Sequence, residues 1–186
     1  VFDVIDPVNP TVAGSFDALG WAVTATIAGN VLWAGFNDCD ILDDCFGDLY
    51  ILDLSNPVSP QQIGLPRDGI RAIVSGSNAY VAHWGLRILD ITDLANPVEL
   101  GFHPGYSYVG DGAVAGNYVF MPAGWILGIG DVSDPSTPNP ERYFDVPIYT
   151  NVAVQGNYAY AAAGSVFSVI DLSDPLQPVA AAKDTL

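Results

Sequence analysis

One short stretch carries the densest chemistry of this 186-residue chain: Phe36-Asn-Asp38-Cys39-Asp40-Ile-Leu-Asp43-Asp44-Cys45-Phe-Gly-Asp48. It holds the only two cysteines, Cys39 and Cys45, close enough in sequence for a disulfide to close a short loop in an oxidising compartment. Zinc is a weaker reading, because two thiolates without a suitably spaced His or further Cys make a poor tetrahedral site. Asp38, Asp40, Asp43, Asp44 and Asp48 crowd the same stretch. Such carboxylates repel one another unless they are hydrated or bridged by a hard cation, and oxygen ligands suit Ca²⁺. The spacing does not follow the EF-hand pattern. A solvated acidic loop is the simpler reading and Ca²⁺ the alternative, so the sequence requires no cofactor.

Aromatic residues supply a second group. Trp84, Trp125, Tyr106 and Tyr108 fall in or beside segments of irregular length, with His83, Arg67 and Asp68 nearby in sequence. Aromatic planes beside a carboxylate and a guanidinium can hold a sugar or a peptide. The competing role is to fill gaps between packed sheets, which is the better first reading for most of the tryptophans. Catalytic constellations are thin. His83 and His103 are the only histidines, and no Ser lies in a nucleophile-elbow setting. Gly124-Trp-Ile-Leu-Gly128-Ile-Gly130 is glycine-rich but leads into no helix, so it is not a phosphate loop. The expectation is a chain that binds rather than catalyses, with an Asp/His hydrolase as the distant alternative.

Charge narrows the partners. Five Lys and Arg stand against 21 Asp and Glu, a net charge of −16. A phosphate backbone or anionic membrane surface needs basic side chains to displace counterions, so both are poor partners. Nineteen of the acids are Asp, which favours turns, and fourteen Pro with nineteen Gly point the same way. Two charge-free stretches, Gly112–Gly130 and Val146–Ile170, contain Gly-Asn pairs that break helices. They are expected to be buried strands, with no membrane span in this segment.

The elements that position these residues follow from a repeat. One phrase occurs five times: Asp3-Val-Ile-Asp6-Pro-Val-Asn-Pro10, Asp53-Leu-Ser-Asn56-Pro-Val-Ser-Pro60, Asp90-Ile-Thr-Asp93-Leu-Ala-Asn-Pro97, Asp131-Val-Ser-Asp134-Pro-Ser-Thr-Pro138 and Asp171-Leu-Ser-Asp174-Pro-Leu-Gln-Pro178. A second phrase keeps the same beat of about 40 residues, at Gly29-Asn30, Gly76-Ser-Asn78, Gly116-Asn117 and Gly156-Asn157. Each unit reads as four short strands: one up to the Gly turn, one after it, a third ending in the Asp phrase, and a fourth beyond it. Third strands such as Leu49-Tyr-Ile-Leu-Asp53 and Phe167-Ser-Val-Ile-Asp171 are apolar at successive positions, as when a sheet is covered on both faces.

Four-stranded units of this length describe the blades of an all-β, antiparallel β-propeller. The strand-plus-turn phrase resembles the LVIVD repeat, named for a Leu-Val-Ile-Val-Asp third strand followed by a Ser-Asp-Pro-x-x-Pro-like turn. The departures are local, with Asn56 in place of the second Asp and Leu94 in place of the first Pro. The resemblance implies a bacterial or archaeal surface or secreted protein, extracellular and without an assigned reaction. The expected organisation is a half blade over residues 1–20 and blades over about 21–69, 70–106, 107–149 and 150–186, together part of a larger propeller. Strand parity puts the Gly and Asp turns on one face and the variable segments on the other, where binding usually lives. The functional expectation is an interaction module for a protein partner or for self-assembly, with a glycan- or peptide-binding lectin-like propeller as the alternative.

Overall fold

The structure is a computed structural model, and it describes all residues except 40–44, 65–66, 83–84, 106–109, 124–125, 146–150 and 186; side chains are also not described at 38–39, 45–46, 67, 139–142, 163 and 185. Every regular element in it is a strand. The first is β1 (Phe2–Asp3), hydrogen-bonded to β2 (Thr11–Val12) in a two-stranded hairpin. The first full sheet contains β3 (Trp21–Ala28), β4 (Val31–Cys39), β5 (Cys45–Asp53) and β6 (Gln61–Gln62), with β7 (Arg67–Asp68) added beside β5. The second runs β8 (Arg71–Ser75), β9 (Asn78–Ala82), β10 (Gly85–Asp90) and β11 (Val98–Pro104). The third runs β12 (Ala113–Ala115), β13 (Tyr118–Ala123), β14 (Ile126–Asp131) and β15 (Asn139–Phe144). The fourth runs β16 (Asn151–Gln155), β17 (Tyr158–Ala163), β18 (Val166–Asp171) and β19 (Val179–Thr185). All pairs within the sheets are antiparallel meanders. The architecture is a β-propeller of four blades and an outer half blade.

Two kinds of turn set this geometry. Gly116, with φ +57°, opens the two-residue turn that joins β12 to β13, and Gly29, Gly76 and Gly156 repeat it. At the other turn the leading Asp accepts a hydrogen bond from the N–H two residues on, in all five copies: Ile5 to Asp3, Ser55 to Asp53, Thr92 to Asp90, Ser133 to Asp131 and Ser173 to Asp171, at 2.7–2.9 Å. The second acid repeats the device one step later, and Asn56 does so with an amide oxygen, at 3.3 Å from the Val58 nitrogen. The turns then meet. The residue after the leading Asp donates its N–H to the Gly-turn carbonyl: Leu54 to Asn30, Ile91 to Ser77, Val132 to Asn117 and Leu172 to Asn157. Both short turns therefore lie on one face of each blade, as strand parity requires.

Blades stack through three apolar interfaces. Trp33, Leu49 and Ile51 pack on Ala72, Ala79 and Val81; Tyr80, Leu86 and Ile88 pack on Val119 and Met121; Phe120, Leu127 and Ile129 pack on Val152, Ala161 and Ile170. One aromatic side chain, four residues after each turn Gly, anchors each interface: Trp33, Tyr80 and Phe120. The fourth in the series, Tyr160, instead stacks on Phe167 at 6.3 Å between ring centroids. A closer approach joins the outer edges. Gly14, Gly64 and Gly101, each eleven residues after a leading Asp, lie against the turn of the next blade. An added Cβ would stand 2.6 Å from the Pro57 oxygen at Gly14, 2.6 Å from the Ala95 oxygen at Gly64, and against the Pro135 oxygen at Gly101.

The segment 36–48, expected as a loop, is largely strand. The β4–β5 ladder runs on through Phe36↔Asp48, Asn37↔Gly47 and Asp38↔Phe46 to Cys39↔Cys45. Phe36 sets its ring edge-on to Tyr50 at 5.3 Å, which extends the sheet despite the acidic composition.

Two tests follow. Gly101→Ala is expected to cost about 1–3 kcal/mol in chemical denaturation, because the methyl group would meet the Pro135 and Ser136 carbonyl oxygens and the rigid Pro138 ring; Gly116→Val, in open space but at positive φ, is expected to cost about 1–2 kcal/mol. The acid turns also make stability pH-dependent. Hydrogen bonds hold several carboxyls below the ordinary value of 3.8: Asp134 through the Ser136 hydroxyl and then its N–H, Asp93 through the Asn96 amide and then the Ala95 N–H, and Asp90 through the Thr92 N–H and then its hydroxyl. A carboxyl whose folded pKa is depressed stabilises the fold above its unfolded pKa and ceases to do so as pH falls through the folded value. The melting temperature is thus expected to fall below about pH 4, and Asp134→Asn, which keeps an acceptor that cannot titrate, should flatten that fall.

Candidate functional site

The first strand of each blade starts on the variable face and runs down the propeller axis, so the first strands of neighbouring blades touch one another. The position five residues before each turn Gly therefore recurs around the mouth of the axis, where it is occupied by Thr24, Arg71, Asp111 and Asn151. These residues share no type, yet they are linked. Thr24 Oγ1 donates to the Ile70 carbonyl at 3.2 Å, Arg71 Nε donates to Asp111 Oδ1 at 3.3 Å, and the Asp111 N–H reaches Asn151 Oδ1 at 3.4 Å. A parallel bridge pairs Asp111 with Asn151, and the Val152 N–H donates to the Asp111 carbonyl at 3.0 Å.

Below this row lies a cavity of about 70 Å³, lined by Thr26, Arg71, Ile73, Tyr80, Asp111 and Met121 among others. The Arg71 side chain is only 18% exposed while its partner carboxylate is 62% exposed, so the cation sits in the wall and the anion at the rim. An enclosed guanidinium with a hydroxyl, a phenol and an amide nearby can orient a small polar or acidic group. Arg71 is one of only five Lys and Arg in a chain of net charge −16, and at the axis Asp111 offsets its charge.

The sequence-predicted residues are distributed as follows. Asp68, on β7, forms an ion pair with Arg87 Nη2 at 3.1 Å; Arg87 Nη1 also bonds Glu99, and its Cζ lies 5.1 Å from the Phe102 ring centroid. That cluster ties the edge of the first blade to the second and assigns Asp68 a bracing role. Arg67 is placed on the same short strand, opposite Leu49, its side chain outside the described residues. Asp48 stands opposite Asp68 and Phe36 in the ladder. His83, Trp84, Tyr106, Tyr108 and Trp125 lie outside the described residues, as do Asp40, Asp43 and Asp44, while Asp38, Cys39 and Cys45 are placed by backbone alone. Among the described residues no group of three or more His, Cys, Asp or Glu is arranged to hold a metal ion. His103 ends up at the variable edge of β10 and β11, opposite Leu86, with Nδ1 buried and without a hydrogen-bond partner among the described residues.

The axial residues are what sequence reasoning misses. Arg71 draws no notice in the sequence, and Asp111 resembles a linker acid; only counting back from each turn Gly brings them into phase.

With this geometry in place, comparison with known proteins gives the class. The chain belongs to the LVIVD repeat family, whose repeat matches residues 44–65, 67–102, 107–145 and 149–182. Three solved structures share the propeller architecture at low identity. The computationally designed Ika4 protein aligns with a TM-score of 0.57 and 11% identity over 84% of this chain and 94% of its own. The computationally designed Ika8 protein aligns with a TM-score of 0.55 and 14% identity over 88% of this chain and 61% of its own. A Kluyveromyces lactis Hsv2 with loop 6CD replaced by a Gly-Ser linker aligns with a TM-score of 0.52 and 11% identity over 82% of this chain and 49% of its own. No curated protein matches the chain in sequence. Among the described residues no helix is long and apolar enough to cross a membrane.

The axial row should be separable from stability. Arg71→Met is expected to cost less than about 1 kcal/mol, since its ion pair is half in water. Arg87→Met, which loses two ion pairs and an aromatic contact, should lower the melting temperature more. Thermal melts of the two variants side by side check the order.

Proposed function

We propose that this propeller is a non-catalytic, extracellular interaction module that receives its ligand at the axial mouth of the variable face. The observation that carries the reading is the contrast between positions of the repeat. Where a position serves the scaffold, the copies agree in type: Gly at the turn, Asp or Asn in the Asp phrase, an aromatic four residues after the Gly. At the axial mouth they diverge to Thr24, Arg71, Asp111 and Asn151, polar in every case, with Arg71, Asp111 and Asn151 bonded in series and Thr24 bonded to the Ile70 carbonyl next to Arg71. A scaffold does not need four unlike polar residues at one repeated position, whereas recognition of an asymmetric ligand does.

An extracellular setting is supported by the register that brings Cys39 opposite Cys45 at the end of the β4–β5 ladder, where oxidation would staple the hairpin. The acidic side chains around it are read as a solvated face, with no cofactor needed for folding. The partner is a protein or a glycan bearing an acidic or hydrogen-bonding group for Arg71.

The test is a glycan and peptide array probed with the wild-type protein, Arg71→Met and Arg87→Met. Signals lost in the Arg71 variant and kept in the Arg87 variant support the axial site; signals indifferent to Arg71 sink it. For the acidic hairpin, millimolar Ca²⁺ is expected to leave the melting temperature unchanged, and a chelator-reversible rise would establish a cation site instead.

A further inference from the structure

The axial cavity carries more hydrogen-bonding capacity than its own walls use. Arg71 spends Nε on Asp111 at 3.3 Å, and among the described residues its Nη1 and Nη2 have no partner. The side chain is only 18% exposed, so those N–H groups are largely withdrawn from water. Thr26 and Tyr80 line the same space, and their hydroxyls likewise bond to no described residue. Tyr80 is 6% exposed, yet its oxygen is not sealed away as Trp33 Nε1 and His103 Nδ1 are, so the cavity gives access to it.

The scaffold does not call for these hydroxyls. Three residues before the turn Gly the other copies carry Ile73, Ala113 and Ala153, where the first blade has Thr26. Phe120 anchors its interface from the position of Tyr80 without a hydroxyl. The rest of the lining is apolar and close. Ala72, Ile73, Ala82 and Met121 contribute to it, and Gly112 brings its backbone so near that a Cβ would press on the Phe120 carbonyl, Ile73 and Met121. One water needs about 10–15 Å³ of such space, so a cavity of about 70 Å³ admits roughly five to seven non-hydrogen atoms. A pyranose with its hydroxyls is too large, and a short-chain acid fits.

We infer that the cavity takes a single carboxylate on a short aliphatic stem, the carboxylate on the Nη edge of Arg71 and the hydroxyls of Thr26 and Tyr80, the stem against Ile73, Ala82 and Met121. The inference rests on the axial reading above and names its ligand. The two Nη groups offer parallel N–H bonds to a planar carboxylate, the geometry that favours Arg over Lys at such sites. A phosphate brings more charge into a chain of net charge −16 and has no apolar part for the remaining wall. The same carboxylate is offered by a free short-chain acid and by the side chain of a Glu on a protein partner.

The probes are propionate, propionamide, inorganic phosphate and a capped Gly-Glu-Gly peptide, each titrated into the whole protein by calorimetry at one ionic strength. Propionate is expected to saturate at about millimolar concentration, with propionamide and phosphate at least about tenfold weaker. Arg71→Lys, which keeps the charge and loses the fork, should weaken propionate at least about tenfold. Tyr80→Phe should weaken it about threefold or more and melt with the wild type, because the hydroxyl it removes has no described partner. Asp111→Asn keeps an acceptor for Nε and removes the competing charge, so it should tighten propionate about threefold. Arg87→Met should bind propionate unchanged. A capped peptide that competes with propionate makes a partner's Glu the source, and propionate binding without it makes the source a free acid. No saturable propionate binding, phosphate binding as tight, or binding indifferent to both Arg71→Lys and Tyr80→Phe overturns the inference. Array signals that need Arg71 while propionate does not bind would end this inference and leave the axial reading standing. Propionate binding that needs Arg71, beside array signals indifferent to it, would keep the acid site and remove the macromolecular partner.

Discussion

Everything in this propeller depends on how a single side-chain oxygen finishes the third strand. Once the leading Asp has taken the N–H two residues ahead, the chain is committed to a tight reversal, and the intervening N–H, directly after the Asp, is free to bond the Gly-turn carbonyl. That second bond locks two turns that are far apart along the strand path. It fixes the register of all four strands at one end, and a register slip of one residue would turn the apolar face of a strand to water. The aromatic anchors and the seating glycines can contact the next blade only because this register is invariant.

The fold was legible because its turn positions tolerate few residue types. A two-residue hairpin with positive φ calls for Gly, and a self-closing turn calls for Asp, Asn or Ser, so the positions announce themselves at fixed intervals. Where tertiary contact overrides local preference, legibility fails. The Asp-rich stretch from Phe36 to Asp48 has the composition of a solvated loop, yet the Phe36–Tyr50 contact and the growing ladder carry its two ends, residues 36–39 and 45–48, into the sheet. The axial row fails for the opposite reason. Thr24, Arg71, Asp111 and Asn151 have no common chemistry to be seen along the chain, and their relation exists only once blades are wound about an axis.

The axial mouth has its own physical character. The axial mouth is small, polar and internally bonded, and a guanidinium held in its wall has already given up part of its hydration. Such a site rewards a ligand with matched hydrogen-bonding groups and penalises an apolar one. Stability elsewhere is local, since each blade touches its neighbours, so occupation of the mouth would be felt most by the blades next to it.

The glycines at positions 14, 64 and 101 have an implication for how such a chain changes through inheritance. The interfaces that carry these glycines are made by the same few positions at the same distances from the same turn, so the downstream side of one such blade resembles that of the next. A recombination event that inserts or deletes one whole period creates no unfamiliar contact. Length in this architecture can therefore drift in steps of one blade while the loops diverge independently, and the number of blades is a far more labile character than the shape of any one of them.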